Sequence, residues 1–161
     1  MKSLRPSRDF VIESLTQDTR QGLINLLAVG VHHLFEQQLS LVVRKELFLD
    51  RESLKMSKVT PQLREAGIDL TALSGWQILK ELRHVANAVK HAEGYSAEKL
   101  RKRWPSLGVP LGLEHEPFAT GIKPLFLPLF GDGLYIRRED LERYFGAAEN
   151  FWRSFEHKLR I

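Results

Sequence analysis

Gly75-Trp-Gln-Ile-Leu-Lys-Glu-Leu-Arg-His-Val-Ala-Asn-Ala-Val-Lys-His-Ala-Glu-Gly94 is the stretch around which the chain is organised. It reads as one amphipathic helix over residues 75–92. Ile78, Leu79, Leu82, Val85, Ala86 and Val89 recur at the three- and four-residue steps of an apolar stripe. Arg83, Asn87 and His91 follow one another four apart. A step of four advances only ~40° around a helix, so the three side chains climb one face in successive turns. Lys80 and His84 fall within the same arc, and Lys90 extends it. Ser74 is the nearest N-cap. Gly94 ends the helix, because glycine accepts the left-handed C′ conformation.

The polar face carries a guanidinium that is always charged, an amide that donates and accepts, and an imidazole that titrates near neutrality. Arginine holds an anion and histidine moves a proton, which suits a phosphodiester. The plainer alternative is a solvated basic face, with His91 acting as the cation at a helix C-terminus.

Size and composition bound the rest. A chain of 161 residues is expected to form one domain with a substantial core, and 43% hydrophobic and 27% charged residues fit a soluble globule. There is no cysteine, so disulfides, thiolate metal sites and cysteine nucleophiles are excluded together. Met1 to Asp9 is polar and no signal-peptide core follows. His, Gln, Glu and Arg interrupt the longest apolar runs, so no membrane span and a cytoplasmic location are expected. The net charge of +4 and pI of about 9.5 are compatible with a polyanionic partner. The basic excess is local: Arg101, Lys102 and Arg103, then Arg137 and Arg138, then the Lys80–Lys90 face.

Outward from the organising helix, residues 8–15 suggest a short helix, with Thr16 or Asp18 capping a long one over 19–47. His32, His33, Glu36, Gln37 and Gln38 interrupt the apolar face of that long helix midway. His32 or His33 with Glu36 has the spacing of a helical metal site, but lacks a second ligand pair, so a hydrogen-bonded face is expected and no metal. Thr60-Pro61 reads as a helix start, with proline at the first position, and Gly67 closes that helix. Ser96 should cap a basic helix that Pro105 stops. Prolines and glycines then recur through residues 105–133. Leu125-Phe-Leu-Pro-Leu-Phe-Gly-Asp-Gly-Leu-Tyr-Ile136 suggests a β-hairpin turning at 131–133. Residues 139–159 form the last helix, with Leu141, Tyr144, Phe145, Ala148, Trp152, Phe155 and Leu159 facing the core. The expected fold is therefore mainly α: an antiparallel helical bundle spanning 1–161, with a small hairpin in an insert at 105–136, before the last helix.

A long helix interrupted by Glu and Gln, followed by one carrying Arg83, Asn87 and His91, resembles the HEPN superfamily. These are small helical proteins of prokaryotic defence and toxin–antitoxin systems, many of them metal-independent ribonucleases. The specific content is Leu82-Arg-His-Val-Ala-Asn-Ala-Val-Lys-His91. Seven residues separate Arg83 from His91, where the family pattern has four to six. Position 93, where some members carry a modifiable tyrosine, is Glu; the nearest is Tyr95. The resemblance implies an endoribonuclease without cofactors. His91 would be the general base or acid, Arg83 the stabiliser of phosphoryl charge, and Asn87 the orienting group. Lys80, His84, Lys90, Arg101, Lys102 and Arg103 would bind RNA. It also implies a homodimer with the organising helices near the axis, and an antitoxin or defence partner protein. The other function class is a non-catalytic helical module that binds a protein or RNA through the same face.

Overall fold

The computed structural model describes residues 8–47, 56–110, 112–113, 125–130 and 133–159. The chain is mainly helical. Among the described residues five α-helices follow in order: α1 (Arg8–Leu47), α2 (Met56–Glu65), α3 (Trp76–His91), α4 (Tyr95–Arg103) and α5 (Arg138–Leu159). Short 3-10 turns occupy Leu70–Ala72, Pro105–Gly108 and Pro128–Phe130. α3 is the organising helix, packed against α1, α4 and α5.

Four helix boundaries differ from the sequence reading. The helices expected at 8–15 and 19–47 are one continuous α1. Thr16 and Asp18, the expected caps, both lie inside it, and the hydroxyls of Thr16 and Thr19 donate to the carbonyls of Ile12 and Leu15, at 2.9 and 2.8 Å. This back-bonding accommodates threonine inside a helix. Pro61 lies within α2, not at its first position. At the start of α3 the cap residue is Gly75 rather than Ser74. Gly75 has φ 79°, and a Cβ there would sit 2.2 Å from the Ala147 carbonyl oxygen, so glycine is what lets α3 begin against α5. At the other end the cap residue is Ala92, with φ 56°, and Gly94 two residues on also has a positive φ, 148°.

The expected hairpin at 125–136 is not seen among the described residues. Residues 131 and 132 lie outside the described residues, and no strand occurs among those described. The backbone polar groups of the segment are satisfied by side chains and by other segments instead. Asn25, fully buried on α1, donates to the carbonyls of Pro128 and Leu134, both at 2.8 Å. Its Oδ1 accepts from Gln21 at 3.0 Å and from the Ile136 N–H at 3.4 Å. Gln21 also donates to the Ile136 carbonyl, and the Tyr135 N–H donates to Leu107, each at 2.8 Å. Pro128, lacking an N–H, turns the chain here.

The core lies between α1, α3 and α5. Ala28, Phe35 and Leu39 of α1 meet Leu79, Leu82 and Ala86 of α3 and Tyr144, Phe151 and Phe155 of α5. Phe35 packs edge-on to Phe151 at 4.9 Å between ring centroids, and Phe151 stacks on Phe155 at 5.8 Å. Phe151 replaces Phe145 and Leu159 of the expected stripe; those two are exposed. Asp140 accepts from the Arg137 N–H at 3.0 Å and so closes the first turn of α5. The window Asp9–Lys45 of α1 is long and apolar enough to cross a membrane by length and composition, and one third of it is buried within the fold.

A buried acid locks α3 to α5. Glu81 is 2% exposed. Its carboxylate takes both terminal nitrogens of Arg143, Nη1 at 2.9 Å, and the hydroxyl of Tyr144 at 2.8 Å. Those hydrogen bonds raise the Arg143 pKa, while burial, with Glu81 adding to it, raises that of Tyr144. Removing one partner strands a buried charge, at a typical cost of about 3–5 kcal/mol, whereas an apolar replacement of a whole buried pair is often neutral. Arg143→Met is therefore expected to destabilise about twice as much as Tyr144→Phe, which loses one charge-assisted bond worth about 1.5–3 kcal/mol in full. The triple change Glu81→Leu, Arg143→Met, Tyr144→Phe should regain most of the loss. Urea denaturation of the three variants checks the order, and a triple variant weaker than Arg143→Met would refute it.

Candidate functional site

On α3 the side chains opposite Glu81 face away from α5. Arg83 and His91 are exposed and Asn87 is half-buried. None of the three has a hydrogen bond or ion pair to any described residue. The eight-residue separation places Arg83 and His91 ~12 Å apart along the helix axis, with Asn87 midway. The face is thus an open, solvated strip of donors, long enough to follow adjacent phosphates of a single strand.

One edge of the strip is formed by α1. A small cavity of about 30 Å³ lies between the two helices, lined by His32, Phe35, Glu36, Trp76, Leu79, Lys80 and Arg83. It holds a water or two, not a nucleobase. His32 is buried, with its Nε2 3.4 Å from Glu36. Glu36 favours the imidazolium, yet burial together with His33, Lys90 and Arg83 lowers the His32 pKa to about 4. A neutral imidazole therefore sits behind the strip at neutral pH. His33 meets Lys90 across the same edge, with Lys90 Nζ 3.4 Å from His33 Nε2. The polar interruption of α1 at 32–37 is visible in the sequence; what the sequence does not show is that it meets the Arg83 face.

The other candidate residues divide. His84 turns to the opposite edge and packs on α4. Its Nδ1 is 3.3 Å from the Ser96 hydroxyl, and its ring lies 5.9 Å from Tyr95 and 6.2 Å from Trp104. Burial lowers its pKa, with Arg83 and Lys80 adding to the effect. Ser96, expected as a cap, thus serves His84. Arg101 is held by Glu93 through both terminal nitrogens, Nη2 at 2.6 Å. Glu93 also accepts the Leu125 N–H at 2.6 Å, and the Arg101 hydrogen bonds hold its carboxyl at about 2. Arg101 therefore ties the turn after α3 to the 125 segment, while Lys80, Lys102 and Arg103 are exposed. Arg83, Asn87, His91, Lys80 and Lys90 lie along one arc of α3, while His84 packs on α4, close enough to Arg83, Lys80, Lys99 and Arg103 for each to help lower its pKa.

No protein-family model matches the chain, and neither a curated protein sequence nor a solved structure is significantly similar to it.

His32 gives the fold a pH dependence. Its native pKa of about 4 lies below its unfolded value of 6.5, so between those values the unfolded chain binds the extra proton. Stability is then complete above pH 6.5 and falls as the pH drops toward 4, by up to about 3 kcal/mol in all. His84 acts in the same direction, so the expected observation is a difference. Between pH 6.5 and 4.5 a His32→Gln variant should lose clearly less stability in denaturant titrations than the parent. Equal slopes would show that His32 is not the group responsible.

Proposed function

We propose that this chain is a cytoplasmic, metal-independent endoribonuclease of HEPN type, acting within a defence or toxin–antitoxin setting alongside a partner protein. The observation that supports the reading is the α3 strip: Arg83, Asn87 and His91 are aligned in successive turns, Arg83 and His91 open to solvent, and none has a hydrogen bond or ion pair to a described residue. A structural ion-pair surface would have its cations partnered, as Arg101 and Arg143 are. RNA is the substrate class because it carries its own nucleophile. The 2′-oxygen attacks the adjacent phosphorus, its proton passes to His91, and the bond from phosphorus to the 5′-oxygen breaks. The departing oxygen takes a proton, leaving a 2′,3′-cyclic phosphate. Arg83 stabilises the negative charge growing on the non-bridging oxygens, and Asn87 orients the phosphate. Lys80 and Lys90 steer the strand, with Lys102 and Arg103 adding affinity.

A second reading is favoured by one feature. A general base is ordinarily oriented by a neighbouring group, and no described side chain orients His91. On that reading the strip binds RNA without cutting it.

Both are tested with the same variants. Arg83→Ala and His91→Ala change exposed side chains, so stability should move by no more than about 0.5 kcal/mol. Cleavage of single-stranded RNA in the presence of chelator should fall by about 10²–10⁴-fold, and DNA should resist. His84→Ala should keep cleavage while loosening α4, because its ring packs against Tyr95 and Trp104. Loss of cleavage in His84→Ala but not His91→Ala would assign the chemistry to the other histidine. Binding that weakens steeply with salt, with no cleavage product in the parent, would replace the first reading by the second.

A further inference from the structure

The outward face of α1 carries a pattern that no described residue explains. Leu23, Leu27, Gly30, Leu34, Gln37 and Leu41 follow one another in strict alternation of four and three residues, the spacing of a helix–helix seam. They lie opposite the core-facing residues Asn25, His32 and Leu39. All six are exposed, with Leu23, Leu27, Leu34 and Leu41 at 58, 59, 60 and 46%. From Gln21 to Val43 the sole Asp, Glu, Lys or Arg is Glu36, which is half-buried on the α3 side. A solvated helix face is normally charged, and depletion of charge is the signature of an interface core.

Gly30 sharpens this. It is in mid-helix, where glycine costs about 0.5–1 kcal/mol relative to alanine. A Cβ there would meet nothing within 4 Å, so the fold itself has no need of a glycine. A missing side chain on an exposed seam is useful when another backbone or side chain must come close.

We infer that α1 is a self-association surface and that its occupant is α1 of a second copy, antiparallel about a two-fold axis beside residue 32. The seam is self-complementary in that register. Leu23 and Leu41 are equidistant from residue 32, as are Leu27 and Gln37, and Gly30 and Leu34. Each Leu34 then fills the notch at the partner's Gly30, and the same pair recurs across the axis, as an isologous contact requires. A parallel pairing would set Gly30 on Gly30 and leave a hole. An apolar groove of about 340 Å³, lined by Thr19, Gly22, Leu23, Leu26 and Leu129, lies where the antiparallel register delivers the partner's Leu41. The core-facing side of α1 points away from this axis, so the dimer leaves the α3 strip uncovered on both copies. The proposal does not depend on RNA cleavage. It moves the expected axis from α3 to α1.

Sedimentation of the full chain at micromolar concentration should give a dimer. Leu34→Arg should give a folded monomer, and Gly30→Ile should do the same, because a Cβ at position 30 meets nothing within 4 Å. The chain has no cysteine, so register can be read directly. Mixed Leu23→Cys and Leu41→Cys proteins should oxidise to a disulfide-linked heterodimer, while Leu23→Cys alone should not cross-link. A monomeric parent, a Leu34→Arg protein that stays dimeric, self-linking of Leu23→Cys, or binding of the monomer to liposomes through this face would each overturn the proposal. Ribonuclease activity retained in the Leu34→Arg monomer would leave the function standing and separate it from the dimer.

Discussion

The demand of one buried carboxylate fixes the arrangement of the central helices. Glu81 lies in the middle of α3, out of reach of water, and an ion in that position needs nearly all its acceptor capacity filled. Arg143 and Tyr144 are adjacent on α5 and fill it from one direction. The rotation of α3 is thereby set: residues two positions along, 200° around the axis, are turned away from α5. Arg83 is such a residue. The Arg83 end of the open strip is thus the reverse side of the ion pair, and the strip winds from there toward His91, ~80° from Glu81.

How much of this could be read from the sequence depends on which partner a residue uses. α3 and α5 were legible because apolar residues at helical spacing bury toward a core whatever their neighbours are. Glu81 was not, because an acidic residue in a helix is ordinarily solvated, and its partners are 62 and 63 residues away. The turn-rich 125–136 segment alternates like a hairpin, yet its backbone groups pair with Asn25, Gln21 and Leu107, and alternation carries no information about such pairings. The break expected near Thr16 and Asp18 rested on cap preference; threonine back-bonding to the preceding turn satisfies the same hydroxyl without ending the helix.

Within the candidate site the alignment of Arg83, Asn87 and His91 followed from periodicity alone. The division of the surrounding cations did not. His84 and His91 differ by only ~20° in helical angle, so spacing assigns them to one face. Packing separates them, since α4 folds back over the earlier turn and covers His84 with Tyr95 and Trp104. Arg101 likewise looks free in sequence and is consumed by Glu93. A net basic charge overstates the cations offered to a polyanion when several of them neutralise acids of their own fold.

Asn25 has a consequence for the order of assembly. Its bonds span 103 to 111 residues, and contacts of such separation carry a loop-closure cost before they return any stabilisation. α1 and α3, by contrast, form from neighbours along the chain. Residues 125–130 and 133–136 are therefore tied to α1 only once distant parts of the chain have met, as the Phe35–Phe151 contact across the bundle also requires. Amide exchange at Ile136, whose N–H donates to Asn25, would then report when that single side-chain amide lets go.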